Sequence, residues 1–99
     1  MHTMKKTKFY ILVCNEKQEK EARPVNGYFE YVGGLPLGLH KNGATWTVTE
    51  LSTGCKITEG RTRADAMENA RPYLDRVRKL ITETYMQAAR DTISAAYAG

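Results

Sequence analysis

The fold is decided by residues 35–65, which read LPLGLHKNGATWTVTELSTGCKITEGRTRAD. Three signals follow one another there: the dipeptide Asn42-Gly43, a turn that ends at Gly54, and a strand-to-helix junction at residues 60–62. Asn-Gly tolerates the positive φ angles that a type I′ hairpin turn requires. The stretch therefore predicts consecutive antiparallel strands that lead into a helix.

The hairpin turn also predicts a strand register. A two-residue turn at residues 42–43 places Leu39 opposite Trp46 and Leu37 opposite Val48. Both apolar pairs then lie on the same side of the hairpin, as a hairpin that covers a core requires.

Further strands extend this hairpin in both directions. Residues 8–14 and 27–32 are rich in the aromatic and β-branched side chains typical of strands. After the hairpin, a loop over residues 51–54 would place Val48 opposite Ile57 and continue the apolar face. We predict an α+β fold with an antiparallel meander of four to five strands.

A long C-terminal helix follows the last strand. Thr62 can accept a hydrogen bond from the backbone of Asp65, whose carboxylate can return one, as in a capping box. Apolar and small residues then recur every three or four positions, which predicts one stripe along the helix. The stripe consists of Met67, Ala70, Leu74, Val77, Ile81, Tyr85, Ala88, Thr92 and Ala96.

Pro72 divides this helix. An interior proline removes one backbone hydrogen bond at a cost of about 3 kcal/mol, so we predict a kink near residues 68–72. Residues 63–80 are expected to cover the sheet. Residues 81–99 form a helical extension that bends back, protrudes or meets a partner, and they are the candidate interaction or dimerisation segment.

The length of 99 residues predicts one domain over residues 1–99, in which residues 1–7 are a candidate disordered segment. With 41% hydrophobic and 26% charged residues and a net charge of +4, the composition is that of an ordinary globular protein. The longest apolar run, residues 9–14, is too short to cross a bilayer, and no small-residue cleavage site follows it. We expect a cytoplasmic protein without a membrane partner.

Cysteine and histidine suggest no reactive centre. Cys14 and Cys55 both lie in apolar, strand-like segments, where we expect buried free thiols. His2 and His40 are isolated from each other and from the cysteines. Neither a zinc site nor a Cys/His pair is supported by this spacing, and no cofactor is expected.

Several short motifs cluster between residues 40 and 74: Trp46-x-Val48, Gly54-Cys55, Gly60-x-Thr62, and Ala66 with Ala70. With these motifs the segment resembles the HicB-type antitoxins of bacterial toxin–antitoxin pairs. The resemblance implies a β-β-β-α unit and a small protein that occupies the surface of another protein. Residues 50–55 lack the proline and aspartate of the family's turn, and no separate DNA-binding segment follows, so operator binding is not carried over.

The first functional hypothesis is a non-enzymatic regulator or inhibitor of bacterial or mobile-element origin that binds a protein, such as an antitoxin or a phage-encoded antagonist of a host defence nuclease. A nuclease or toxin would be the partner, and a homodimer through the C-terminal helix is an alternative. The candidate protein-binding residues are Tyr85, Ala88, Ala89, Thr92 and Ala96.

The second hypothesis is a nucleic-acid-binding protein that uses a basic helix face. Its candidate residues are Arg61, Arg63, Arg71, Arg76, Arg78 and Lys79. An enzyme is not favoured, because the strand carboxylates Glu30, Glu50 and Glu59 are expected to face solvent without an adjacent acid–base or nucleophile partner.

Overall fold

The computed structural model describes residues 4–99. Within these residues the chain forms a five-stranded sheet and three α-helices, with two single-turn 3₁₀ segments. The strands are β1 (Lys5–Cys14), β2 (Lys20–Val32), β3 (Leu35–Asn42), β4 (Thr45–Glu50) and β5 (Cys55–Gly60). The helices are α1 (Arg63–Ala70), α2 (Leu74–Leu80) and α3 (Gln87–Ala98), and the 3₁₀ turns are Arg71–Tyr73 and Thr84–Met86.

The sheet is an antiparallel meander in the order β1-β2-β3-β4-β5. This confirms the predicted α+β class and the antiparallel sheet. Residues 1–3 of the candidate disordered segment lie outside the described residues, and β1 begins at Lys5. β2 is longer than predicted, because residues 20–26 also pair with β1.

The register of the β3–β4 hairpin differs from the predicted one. Leu39 pairs with Val48 and Leu37 pairs with Glu50, so each partner is two positions beyond the expected residue. Residues 43–44 form the turn, and only the first of them, Gly43, has a positive φ, at 65°. This fits a type II′ turn and not the predicted type I′ turn. Because the shift is two residues, each side chain keeps its predicted face.

The β4–β5 connection has the expected length. Glu50 pairs with Cys55 across a four-residue loop, 51–54, as predicted. A register shift between Val48 and Thr49 then pairs Val48 with Thr58, so the predicted pairing of Val48 with Ile57 is wrong. The extra residue of such a bulge displaces the pairing without removing the following side chains from the core.

The prediction of one long C-terminal helix is wrong, because the helical residues are divided. Thr62 Oγ1 accepts from the Asp65 amide at 3.0 Å, which confirms the cap that begins α1. The Asp65 carboxylate accepts no hydrogen bond in return within residues 4–99, so the reciprocal half of the predicted capping box is wrong. The Pro72 turn is 3₁₀, and its flanking residues stay right-handed helical, so the kink near residues 68–72 stays a prediction. The break comes after α2, where the Thr82 hydroxyl donates to the Lys79 carbonyl oxygen at 2.9 Å and Glu83 is extended.

The core lies between one face of the sheet and α1–α2. Its buried members are Leu35, Leu37, Leu39, Val48, Ala66, Met67, Ala70 and Leu74. On the other face Phe9 is buried against Gly38, where an added Cβ would lie 2.7 Å from the phenyl ring. The β1–β2 hairpin thus approaches β3 closely because residue 38 has no side chain.

After the break, α3 folds back and packs against β1 and β2. Ile93 is its buried residue, and it lies beside Gly54 at the β4–β5 turn. The Arg90 guanidinium donates to the carbonyl oxygens of Ile81 and Glu83, so it holds the start of α3 against the end of α2. Of the three predicted arrangements of residues 81–99, the structure shows the one in which the segment bends back.

Candidate functional site

A concave apolar surface lies between β5 and the segment that runs from the 3₁₀ turn at Arg71–Tyr73 to that at Thr84–Met86. Its first part is a cavity of about 200 Å³. Ile57, Val77 and Ile81 are half-buried and pack against the core, so the cavity is continuous with the hydrophobic interior. The remaining apolar lining residues are Cys55, Tyr73, Leu80 and Met86.

A second cavity adjoins the first one and lies along α3. It has a volume of about 310 Å³ and shares Cys55 and Met86 with the first. Its other lining residues are Leu12, Lys20, Tyr85, Ala88, Ala89 and Thr92. We call the two cavities together the docking groove. It extends from α2 to the middle of α3 and borders β1 and β5.

Large apolar side chains around the docking groove are open to solvent. Tyr73 is 46% exposed, Leu80 is 38% exposed and Tyr85 is 69% exposed. Single exposed apolar residues are ordinary on a protein surface, whereas several around one concavity mark an interaction site. The groove is therefore the candidate functional site.

The exposed charges of the docking groove are positive. Lys20, Lys56 and Arg76 line it. Arg76 makes no hydrogen bond or ion pair with any residue in 4–99, while Lys56 pairs with Glu59 at the surface, at 3.1 Å. Complementary charge across an interface contributes to specificity and association rate, and the exposed lining charges of this groove all have the same sign.

Glu50 also lines the groove, but its charge is enclosed. The residue is 1% exposed, and its carboxylate accepts hydrogen bonds from the backbone amides of Ser52 and Thr53, both at 2.9 Å, and from both hydroxyls at 2.8 Å. The expectation that Glu50 faces solvent is wrong, because Glu50 lies two positions after the buried Val48 on β4 and therefore shares its face of the sheet. A glutamate followed by Ser and Thr two and three positions later is the local signal for this arrangement.

The predicted protein-binding residues fall into two groups. Tyr85, Ala88, Ala89 and Thr92 line the docking groove together, whereas Ala96 does not line it. The α2 half of the groove was missed by sequence reasoning. Tyr73 and Leu80 lie off the predicted stripe, and Val77 was assigned to the sheet interface alone.

The predicted basic face is divided among several tasks. Arg78 donates to the Gly33 carbonyl oxygen at 2.9 and 3.1 Å, and Arg71 pairs with Glu68 at 3.2 Å. The Arg63 guanidinium lies 4.2 Å from the centre of the Tyr28 ring. The other three members, Arg61, Arg76 and Lys79, are exposed and form no side-chain hydrogen bond or ion pair within residues 4–99.

The remaining candidate chemistry is scattered. Cys14 is exposed and Cys55 is half-buried, both as free thiols, so the expectation of two buried thiols is wrong. No three His, Cys, Asp or Glu side chains in the described part of the chain come together as metal ligands. None of the helices described is long and apolar enough to cross a membrane.

Comparison with known proteins gives no relative. No family model matches the chain, and neither a curated protein nor a solved structure matches it. The resemblance of residues 40–74 to HicB-type antitoxins therefore stays a prediction.

Proposed function

We propose that the protein is a small non-enzymatic regulator or inhibitor that binds another protein through the docking groove. The observation that carries this proposal is the pair of adjoining apolar cavities, the first lined by Tyr73 and Leu80 and the second by Tyr85, all three of which are exposed. Exposed aromatic and aliphatic side chains around a concavity are typical of the anchoring regions of protein interfaces.

The charge of the groove narrows the class of partner. With Lys20, Lys56 and Arg76 as its exposed charges, the groove suits an apolar segment flanked by acidic residues. The HicB-like motifs support an antitoxin-like protein or a phage-encoded antagonist of a host nuclease or defence system. Such a protein would act in the bacterial cytoplasm.

The test compares capture of a partner by matched surface variants. Tagged wild-type protein, Leu80→Asp and Tyr31→Ser are used to capture proteins from bacterial lysate, and circular dichroism checks that each variant is folded. Tyr31 is the control because it is also a large exposed aromatic residue but lies on β2, outside the groove.

The expected result is a partner that is retained by wild type and Tyr31→Ser and lost from Leu80→Asp. An aspartate at the groove places a charge in the apolar contact and should weaken binding at least about tenfold, a change of ~1.4 kcal/mol. A partner captured equally well by Leu80→Asp would contradict the proposal. A second copy of the chain is the alternative occupant, and a concentration-dependent dimer in sizing chromatography that Leu80→Asp abolishes would identify it.

Nucleic-acid binding is the second candidate function. It is favoured by one observation, that Arg61, Arg76 and Lys79 lack internal partners and are therefore available to phosphate. A mobility shift with DNA and RNA at two salt concentrations tests it. Phosphate binding must weaken steeply as salt rises, and the triple substitution to Gln must abolish the shift.

A further inference from the structure

The sheet curls so that its first strand meets the β4–β5 turn. The Leu12 amide of β1 donates to the Gly54 carbonyl oxygen at 2.8 Å. Beside this contact, a cavity of about 160 Å³ that is partly open to solvent lies between β1 and the strands β3, β4 and β5. The cavity shares Leu12 and Lys56 with the docking groove but is lined by other residues from β3 and β4.

Two buried polar side-chain atoms in the wall of this cavity have no hydrogen-bond partner among the described residues. His40 is 8% exposed and Thr47 is 4% exposed, and the two residues are paired across β3 and β4. Neither His40 Nδ1 nor Thr47 Oγ1 has a hydrogen-bond partner within residues 4–99. Because buried polar groups are nearly always hydrogen-bonded, this adjacent pair in the cavity wall is available to hydrogen-bond a molecule in the cavity, either water or a ligand.

The lining chemistry indicates the class of that molecule. All five polar side chains that line the cavity can donate a hydrogen bond, and they are His40, Asn42, Thr47, Thr49 and Lys56. No aspartate or glutamate lines it, and a single histidine is too few ligands for a metal ion. A set of donors beside an ammonium group favours an anion over a cation.

The size and the apolar wall indicate an organic anion. Ile11 and Val13 lie on the same face of β1 and line that side of the cavity, where a hydrocarbon group fits better than the oxygens of an inorganic anion. The volume of about 160 Å³ is close to that of an engineered cavity of ~150 Å³ that binds benzene, so it suits a molecule of about six non-hydrogen atoms. We propose that the cavity binds a short-chain monocarboxylate, with its carboxylate at His40 and Thr47 and its hydrocarbon part against β1.

Lys56 can take part without leaving a buried charge behind. Its ion pair with Glu59 joins two exposed side chains, and surface pairs of this kind contribute little to stability. The ammonium group can therefore exchange the Glu59 carboxylate for a bound carboxylate at the edge of the cavity at little cost in stability. Its role is to distinguish an anion from a neutral molecule of the same shape.

The experiment is a titration of ¹⁵N-labelled protein with butyrate, followed by amide chemical shifts, with butyramide as the neutral probe of similar shape. Butyrate should give saturable shifts centred on His40 and Thr47, and butyramide should bind at least tenfold more weakly. Thr47→Val removes the hydroxyl and keeps the shape, so it should weaken butyrate binding at least tenfold. Thr7→Val on β1, outside the cavity, should bind butyrate as wild type does.

Lys56→Gln gives an independent measurement, because this exposed residue can be changed without disturbing the core. It should weaken butyrate binding severalfold and leave butyramide binding unchanged. The proposal is overturned if butyrate causes no saturable shift in the folded wild-type protein. It is equally overturned if butyramide binds as tightly as butyrate, or if neither Thr47→Val nor Lys56→Gln weakens binding; a cavity that holds only water would give the first of these results.

Discussion

The Tyr97 hydroxyl accepts a hydrogen bond from the backbone amide of Tyr10 at 3.1 Å, and the two rings meet edge to face with their centres 5.0 Å apart. The contact joins the last turn of α3 to the edge strand β1, 87 residues earlier in the chain. We expect Tyr97→Phe to expose the Tyr10 amide, whose hydrogen exchange should become faster. The free energy of unfolding should fall by about 0.5–1 kcal/mol, the lower part of the range for one hydrogen bond, because the site is exposed.

Tyr31→Phe is the matched control for this change. Tyr31 is also exposed and also packs edge to face against another ring, that of Phe29, but its hydroxyl has no partner within residues 4–99. The Tyr31→Phe substitution should leave both the hydrogen exchange of the Tyr10 amide and the free energy of unfolding unchanged. If Tyr97→Phe also left the Tyr10 amide protected, the tether between α3 and β1 would be excluded.

Replacing the enclosed carboxylate of Glu50 should lower the free energy of unfolding more than replacing the exposed carboxylate of Glu59. Four donors of Ser52 and Thr53, their two backbone amides and their two hydroxyls, hydrogen-bond to the Glu50 carboxylate. In Glu50→Gln an NH₂ group replaces one accepting oxygen and faces donors, which leaves either the Ser52 or the Thr53 amide without an acceptor. Urea denaturation should show a loss of at least about 2 kcal/mol, since hydrogen bonds to charged groups each contribute roughly 1.5–3 kcal/mol.

Glu59→Gln provides the comparison for Glu50→Gln. Glu59 is an exposed carboxylate whose ion pair with Lys56 lies at the surface, so its loss should cost less than about 1 kcal/mol. Equal effects of the two substitutions would show that enclosure of the Glu50 carboxylate does not stabilise the turn.

The sheet could be predicted from the sequence because the sequence signals for it are local. Turn glycines, alternating apolar residues and the Thr62 cap each act within a few positions, and they give the five-strand order in one direction along the chain. The error in the β3–β4 register came from the turn, where Gly43 and Ala44 are the central residues instead of Asn42 and Gly43. Its consequence was small, since a shift of two positions preserves the faces.

The helical region and the candidate site were harder to predict from the sequence, because they depend on contacts between distant residues. The predicted stripe ran in one phase from Met67 to Ala96, whereas the break at residues 81–83 resets the phase and buries Ile93 instead. The docking groove forms because α3 then folds back towards β1 and β2. Nothing in the spacing of residues 81–99 distinguishes that course from a protruding helix.

The buried His40 should make stability depend on pH. Burial lowers the pKa of His40 below its ordinary value of 6.5, because the folded protein disfavours the charged imidazolium. The unfolded chain therefore binds more protons than the folded one in the window between the folded-state pKa and 6.5. The free energy of unfolding should be highest above pH 6.5 and should fall as the pH decreases through that window.

Denaturation of wild type and His40→Gln at a series of pH values checks this dependence. The difference between the two proteins should change across the window and level off above pH 6.5, and ordinary carboxylates cancel in the comparison. A difference that is constant with pH would show that His40 titrates alike in the folded and unfolded states. A change of about 1.36 kcal/mol in the stability difference across the window corresponds to a difference of one unit between the folded and unfolded pKa of His40.

The close approach of β1, the β4–β5 turn and α3 at Gly54 gives a sharp test of the packing that closes the molecule. Gly54 has a φ of 71°, and an added Cβ would lie 2.5 Å from Ile93 Cδ1 and 2.8 Å from the Leu12 amide nitrogen. Gly34, with a φ of 82°, has no atom within 4 Å of an added Cβ. Alanine at either position adopts an unfavourable left-handed conformation at a cost of about 1–2 kcal/mol, but only Gly54→Ala also overfills a packed site.

Gly54→Ala should therefore destabilise the protein more than Gly34→Ala, by roughly 1–3 kcal/mol, the usual cost of overpacking. Thermal and urea denaturation of the two variants measure this difference, and faster exchange of the Leu12 amide in Gly54→Ala alone would locate it. Equal destabilisation by the two alanines would mean that Ile93 yields freely, and α3 would then not be held against the β4–β5 turn. Because α3 forms one side of the docking groove, the same variant should also weaken capture of a partner, whereas Gly34→Ala should leave capture unchanged.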